Sequence, residues 1–159
     1  KESNLEDYHE LNYLDWLAND ITAHMNNYNP TMDGFTENHR QIWKRLNNAE
    51  TAIVLPDQAP KEGEGVYVPF FGHQVLTPVL PYRLALATGA EVFIGAAVRV
   101  EHHYEIILRH LKKPLLEDQE QWLSVMNAEI ETLVRQFPNQ YQWEYRRFRN
   151  APDGSLRYP

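Results

Sequence analysis

Cysteine is absent from the 159 residues. That excludes disulfide frameworks, cysteine-based zinc sites and thiol nucleophiles together. No apolar run approaches the roughly 20 residues needed to span a bilayer as a helix. Serine is scarce: Ser3, Ser124 and Ser155 are the only three, and none lies in a Gly-x-Ser-x-Gly elbow. Serine-hydrolase chemistry therefore has no support. Neither a Gly-x-Gly-x-x-Gly run nor a Gly-Lys-Ser/Thr triplet occurs, so nucleotide cradles are unsupported too. Basic side chains are outnumbered, 15 against 22 acidic ones, and the net charge is −7. That balance argues against a general nucleic-acid binder. An initiator methionine is also missing before Lys1, which raises the expectation that the chain is a piece of something longer.

What is present is enough for one core and one domain, since 43% of residues are hydrophobic and 12% aromatic. The charge is unevenly placed. Residues 1–34 hold seven acids and one base, net −6, which leaves −1 for the rest. This predicts an acidic leader, residues 1–49, and a near-neutral body, residues 50–159. Leu11, Leu14, Ala18, Ile21 and Met25 form an apolar helical stripe in the leader. Thr36, followed by His39, is placed to cap a second helix running through Leu46.

In the body, Ala52-Ile53-Val54-Leu55 before Pro56 reads as a buried strand, and Val66 to Phe71 as an extended segment closing at Gly72. Thr77-Pro78 opens a helix that ends at Gly89, with Leu80, Leu84 and Ala87 or Thr88 inward. Val92–Val100 is nearly all apolar, the pattern of a strand covered on both faces. Tyr104–Leu108 pairs with it across Glu101-His102-His103. Leu123, Met126, Ile130, Leu133 or Val134 and Phe137 mark a long amphipathic helix, and Gln140–Phe148 a last short one. Strands alternating with flanking helices make an α/β body.

Histidines do not form a metal site by spacing, because adjacent His102 and His103 point to opposite sides of a strand. Asp57 and Gln58 stand at the end of the first strand, where α/β folds bind ligands. Val68-Pro69-Phe70-Phe71-Gly72 beyond them offers apolar walls for a hydrophobic chain. The same residues also fit a plain polar loop with Phe70 and Phe71 buried. Tyr141 to Arg149 mixes aromatics with bases. It suits an anionic membrane surface, less well nucleic acid, or an ordinary terminal helix with Trp143 and Phe148 inward and solvated arginines.

Several segments in unbroken order resemble a known family. Ile53-Val54-Leu55-Pro56-Asp57-Gln58 and Gly65 to Gly72 look like the central motif of the bacterial lipid A biosynthesis acyltransferases, the lauroyl and myristoyl transferases of Gram-negative inner membranes. Thr77, the helix Arg83-Leu84-Ala85 to Thr88-Gly89-Ala90, the strand ending in Arg99, and Pro138 to Phe148 fit the same pattern. The resemblance covers about residues 50–158 and points to the C-terminal half of such an enzyme. It implies a partial glycerolipid-acyltransferase-like sheet flanked by helices. It also implies transfer of a fatty acyl group from acyl carrier protein to a hydroxyl of a lipid A precursor, at the cytoplasmic face of the inner membrane, with no cofactor and no metal.

By the same resemblance Asp57 takes a supporting catalytic role, with Gln58 as companion. Gln58, Phe70, Phe71, Thr77 and Arg99 become candidate substrate contacts. Arg99 suits a substrate phosphate by charge, or equally a structural ion pair. The family's general base is a histidine with an acid five positions on. None of the seven histidines has one. Asp57 does not replace it, since a carboxylate with a reference pKa of about 3.9 is a poor base toward an alcohol. Two readings follow: the binding part of an acyltransferase without its base, or a non-catalytic lipid- or protein-binding derivative of that fold. In the second, apolar surface left bare is covered by the leader or by self-association.

Overall fold

The computed structural model describes residues 35–61, 63–111 and 119–158. The leader stripe from Leu11 to Met25 lies outside them. The chain divides into two compact units, residues 1–53 and 54–159. In the first, one helix, α1 (Phe35–Asn47), is described. Thr36 falls inside it rather than at its cap, and Lys44 and Arg45 in the last turn complement the helix dipole.

The second unit is α/β, with its strands in two separate two-stranded sheets. β1 (Gly65–Phe70) and β2 (His73–Pro78) pair antiparallel, Val68 opposite Val75 and Val66 opposite Thr77. The connection is only Phe71-Gly72, both at positive φ (48° and 74°), as a type I′ hairpin turn requires. Thr77 and Pro78 therefore end a strand instead of opening a helix. α2 (Leu80–Thr88) begins after them and stops at Gly89, which is left-handed at φ 67° and returns its N–H to Ala85 O. Pro81 sits in the first turn, where its missing N–H costs no hydrogen bond. Pro81 and Leu84 are this helix's buried side chains, while Ala87 is exposed.

β3 (Val92–Val100) and β4 (His103–Leu111) form the second hairpin around the turn Glu101-His102. Its inner face carries Ile94, Val98 and Leu111, all buried. The other face is not covered: Phe93 and Leu108 are 54% and 57% exposed. The expectation of two covered faces fails because the described helices supply a layer to one side only.

α3 (Gln119–Gln136) is that layer. Leu123, Met126, Ile130, Leu133 and Val134 form its inward stripe and meet Val68, Phe70, Val75, Val79, Ile94 and Leu111 in one core. The 3.6-residue period was enough to place it.

Two expected elements are absent. Ala52–Leu55 is irregular, with Leu55 exposed. β-branched residues favour extension, but a strand exists only through a ladder, and no described strand runs beside this stretch. Gln140–Phe148 is not helical either. After a 3-10 turn, Pro138–Gln140, the backbone makes successive tight turns such as Tyr145 N–H to Gln142 O and Arg147 N–H to Tyr145 O.

Gly65 lies where the hairpin passes closest to the loop before it. A β-carbon there would stand 2.5 Å from Pro60 Cγ and 2.7 Å from the Thr77 carbonyl oxygen. That carbonyl belongs to a paired strand and cannot yield easily. Gly65→Ala is expected to destabilise the fold by about 1–3 kcal/mol, the usual cost of overpacking. A fall in the urea midpoint at unchanged m-value will show it.

Candidate functional site

The loop after Pro56 makes little structure of its own. Gln58 and Ala59 are instead held by two side chains from the irregular segment after the 3-10 turn, and the Tyr141 hydroxyl of that segment lies near the Asp57 charge. The Ala59 N–H donates to the Tyr145 hydroxyl at 2.8 Å. Arg147 Nη1 donates to Gln58 O at 3.2 Å and to Leu76 O at 2.8 Å. The non-helical backbone is what permits this. In a helix, positions 145 and 147 point about 200° apart and could not reach one loop together.

Arg147 is the hub, only 3% exposed. Its Nη2 donates to Thr77 Oγ1 at 3.1 Å, and its guanidinium stands 5.6 Å from the Phe70 ring centroid. Burial lowers its pKa, and nearby Tyr141 and Asp57 oppose that shift. Arg147 Nε and Asn127 Oδ1 are buried without a hydrogen-bond partner among the described residues. Burial, followed by the Asp57 charge, pushes the Tyr141 hydroxyl up to about 12. It stays protonated at neutral pH.

Thr77 closes the base of this cluster. Its hydroxyl donates to Val75 O and accepts from both Arg147 Nη2 and Asn127 Nδ2. One donor and two lone pairs are thus fully engaged, and the residue has no exposed surface. Asn127 Nδ2 also reaches Pro69 O at 3.0 Å, which ties α3 to the hairpin.

The aromatic side of the site is continuous. Phe70, fully buried, stacks on Phe148 (5.7 Å, 20°) and meets Phe71 edge-on (4.8 Å). Phe71 contacts Trp143 at 5.8 Å, and Trp143 contacts Tyr141 at 4.9 Å. Phe71 keeps its strained φ because its N–H donates to Glu131 Oε1 at 2.5 Å and Arg135 lies 4.8 Å over its ring.

The structure therefore gathers Asp57, Gln58, Thr77 and Phe70 around Arg147, with Thr77 and Phe70 beneath the surface and Phe71 on the far side of the contact with Phe70. Arg99 stands apart from that group. It lines an open groove of about 500 Å³ with Ala97, Glu101, Tyr104 and Gln140. The Gln140 amide clasps its backbone, accepting from Arg99 N–H at 2.7 Å and donating to Arg99 O at 3.0 Å. Gln140 and Tyr141 are consecutive, so one short segment serves both places. Among the described residues no three His, Asp or Glu side chains form a metal cluster, and no helix is long and apolar enough to cross a membrane.

Tyr141, Tyr145, Arg147 and Asn127 were not singled out by sequence reasoning. Of the three readings of residues 141–149, the ordinary terminal helix put Trp143 and Phe148 inward and the arginines in solvent; the structure packs Phe148 against the core but leaves Trp143 half exposed and buries Arg147. The signal that could have found them is the pairing of two separate family-like stretches, Pro56-Asp57-Gln58 and Pro138 to Phe148.

Mixed helices and small antiparallel sheets, with motif residues gathered at one loop, define an α/β protein. The family model for bacterial lipid A biosynthesis acyltransferases matches residues 7–150, and the chain belongs to that family. It is similar to the lipid A biosynthesis lauroyltransferase of Escherichia coli K12, 30% identical over 115 residues, covering 70% of this chain and 38% of that protein. It is also similar to the lipid A biosynthesis palmitoleoyltransferase of the same strain, 29% identical over 120 residues, covering 74% and 39%. A lipid A biosynthesis acyltransferase of Shigella flexneri matches over the same shares. The chain thus spans about two fifths of the length of these relatives.

Proposed function

We infer that this chain takes part in moving a fatty acyl group from a carrier-protein thioester to a hydroxyl of a lipid A precursor, at the cytoplasmic face of the inner membrane. In that reaction the hydroxyl oxygen attacks the thioester carbonyl, an ester forms and the thiol leaves. The reading assigns this chain the binding side of the site. Asp57 orients the incoming hydroxyl as a hydrogen-bond acceptor, Gln58 supports it, and the Phe71–Trp143–Tyr141 row takes the apolar substrate. The observation that carries it is the convergence of the family-like closing segment on the Asp57 loop.

A second reading, a non-catalytic binding derivative, is favoured by the lack of any histidine with an acid five positions on. One experiment separates them: assay binding of the precursor and of the acylated carrier protein, and transfer between them, with Asp57→Ala as control. The first reading expects both substrates to bind and the precursor to bind about tenfold more weakly in the variant, the worth of one charge-assisted hydrogen bond. Transfer that is lost in Asp57→Ala would show that the chain holds its own base. Binding of one substrate alone, unaffected by the change, favours the second reading. Binding of neither overturns both.

A further inference from the structure

Residues 56–60 make almost none of the backbone hydrogen bonds that fix a loop; a proline stands at each end of them and Gly63 and Gly65 follow. A carboxylate on such a loop samples many positions unless something outside the loop restrains it. Two side chains do so. Tyr145 accepts from the Ala59 N–H, and Arg147 donates to the Gln58 carbonyl. The two residues directly after Asp57 are thus each gripped once, and both grips come from positions 145 and 147.

The grip is itself anchored. Arg147 divides its donors between the loop and β2, through Leu76 O and Thr77 Oγ1. Thr77 passes the restraint to Asn127 on α3. Trp143, between the two tyrosines, is pinned by its Nε1–H to Pro138 O at 2.7 Å and by the Tyr141 and Phe71 rings. A segment needed only to cover the core would bury Trp143 and expose Arg147. This one does the opposite. The arrangement is explained by the loop it holds.

We propose that Tyr145 and Arg147 are positioning residues that set the Asp57–Ala59 loop in its working geometry, acting through Asp57 rather than on substrate. The proposal rests on the reading of Asp57 as a substrate-orienting residue. Misplacing such a group by about 1 Å is enough to weaken its action severely.

The test uses the mildest change, Tyr145→Phe, in the whole chain. It keeps the ring and loses one oxygen. Amide hydrogen exchange is read at Ala59 and, as reference, at Leu123 and Met126 in α3. Tyr145→Phe is expected to speed exchange at Ala59 about five- to tenfold, the loss of one hydrogen bond, with α3 unchanged. Equal acceleration in loop and helix, or none at Ala59, overturns the proposal. The affinity for the lipid A precursor supplies the readout that a purely structural role would not move. Tyr145→Phe is expected to weaken binding about fivefold when Asp57 is present and to have no further effect in Asp57→Ala. Additive losses would mean that Tyr145 does not act through Asp57. If the unaltered chain binds no precursor, the functional reading fails, while exchange at Ala59 still decides whether the segment positions the loop.

Discussion

Replacing Phe70 with alanine is expected to remove about 3–5 kcal/mol of stability, the range for emptying an aromatic site in a core. Phe70 has no exposed surface and lies at the end of β1, where the hairpin, the C-terminal segment and the Arg147 guanidinium meet. Its ring stacks on Phe148 and takes the edge of Phe71, so the cavity would have rigid walls. Collapse is further limited because Phe71 is fixed by Glu131 and Arg135. Against a typical total of about 5–15 kcal/mol, the loss is a large part of what holds the fold. A second unit of about this size loses roughly 4 °C or more per kcal/mol, so the melting temperature should fall by well over 10 °C. The same change at half-buried Phe71 costs much less, since it leaves a smaller void. Equal losses at the two positions would contradict this account of the core.

Legibility in the sequence followed the range of the interactions involved. α3 was readable because its stripe from Leu123 to Val134 repeats with the helix period, and a period is a local property. The end of α2 was readable because Gly89 alone relieves a left-handed cap. β3 was placed at its observed bounds by a run of apolar residues, yet the same run misled about its outer face. Composition states that a strand tolerates burial on both sides, not that two layers are there to bury it. β2 was missed because Pro78 was taken as a helix opener. Its proline instead sits at a strand end, opposite Gly65, where no ladder donor is required of it.

The candidate site divides along the same line. Asp57 and Gln58 stood out by residue type and by family-like order, and both lie in the loop that Arg147 holds. Tyr145 and Arg147 did not, because their bonds reach residues 70 to 89 positions away in sequence. Nothing in a local window marks an arginine that will be buried. The nearest clue was composition, since Tyr141-Gln142-Trp143-Glu144-Tyr145 carries more aromatic surface than a solvated terminal helix needs.

Arg147→Ala is the sharper test of that cluster and is expected to cost about 3 kcal/mol or more. The change strips the donors from Gln58 O, Leu76 O and Thr77 Oγ1 at once. Each acceptor left dry costs about 1–3 kcal/mol, partly offset because a cation that burial disfavours is no longer held inside. Two further substitutions separate charge from geometry. Arg147→Lys keeps the cation but offers a point-like ammonium where a planar fork bridges a loop and a strand, so it should lose about 1–2 kcal/mol. Arg147→Met fills much of the same volume and removes the buried charge, yet leaves all three acceptors unpaired. It should therefore rank between the lysine and alanine variants in urea unfolding. A methionine variant as stable as the original would mean that burial of the charge, not loss of its hydrogen bonds, dominates at this position. Because the guanidinium lies against the Phe70 ring, the double change Phe70→Ala/Arg147→Met should cost less than the two single losses added together. Once the ring is gone, the space it filled can take the methionine side chain, and the hairpin can relax toward a loop that Arg147 no longer holds.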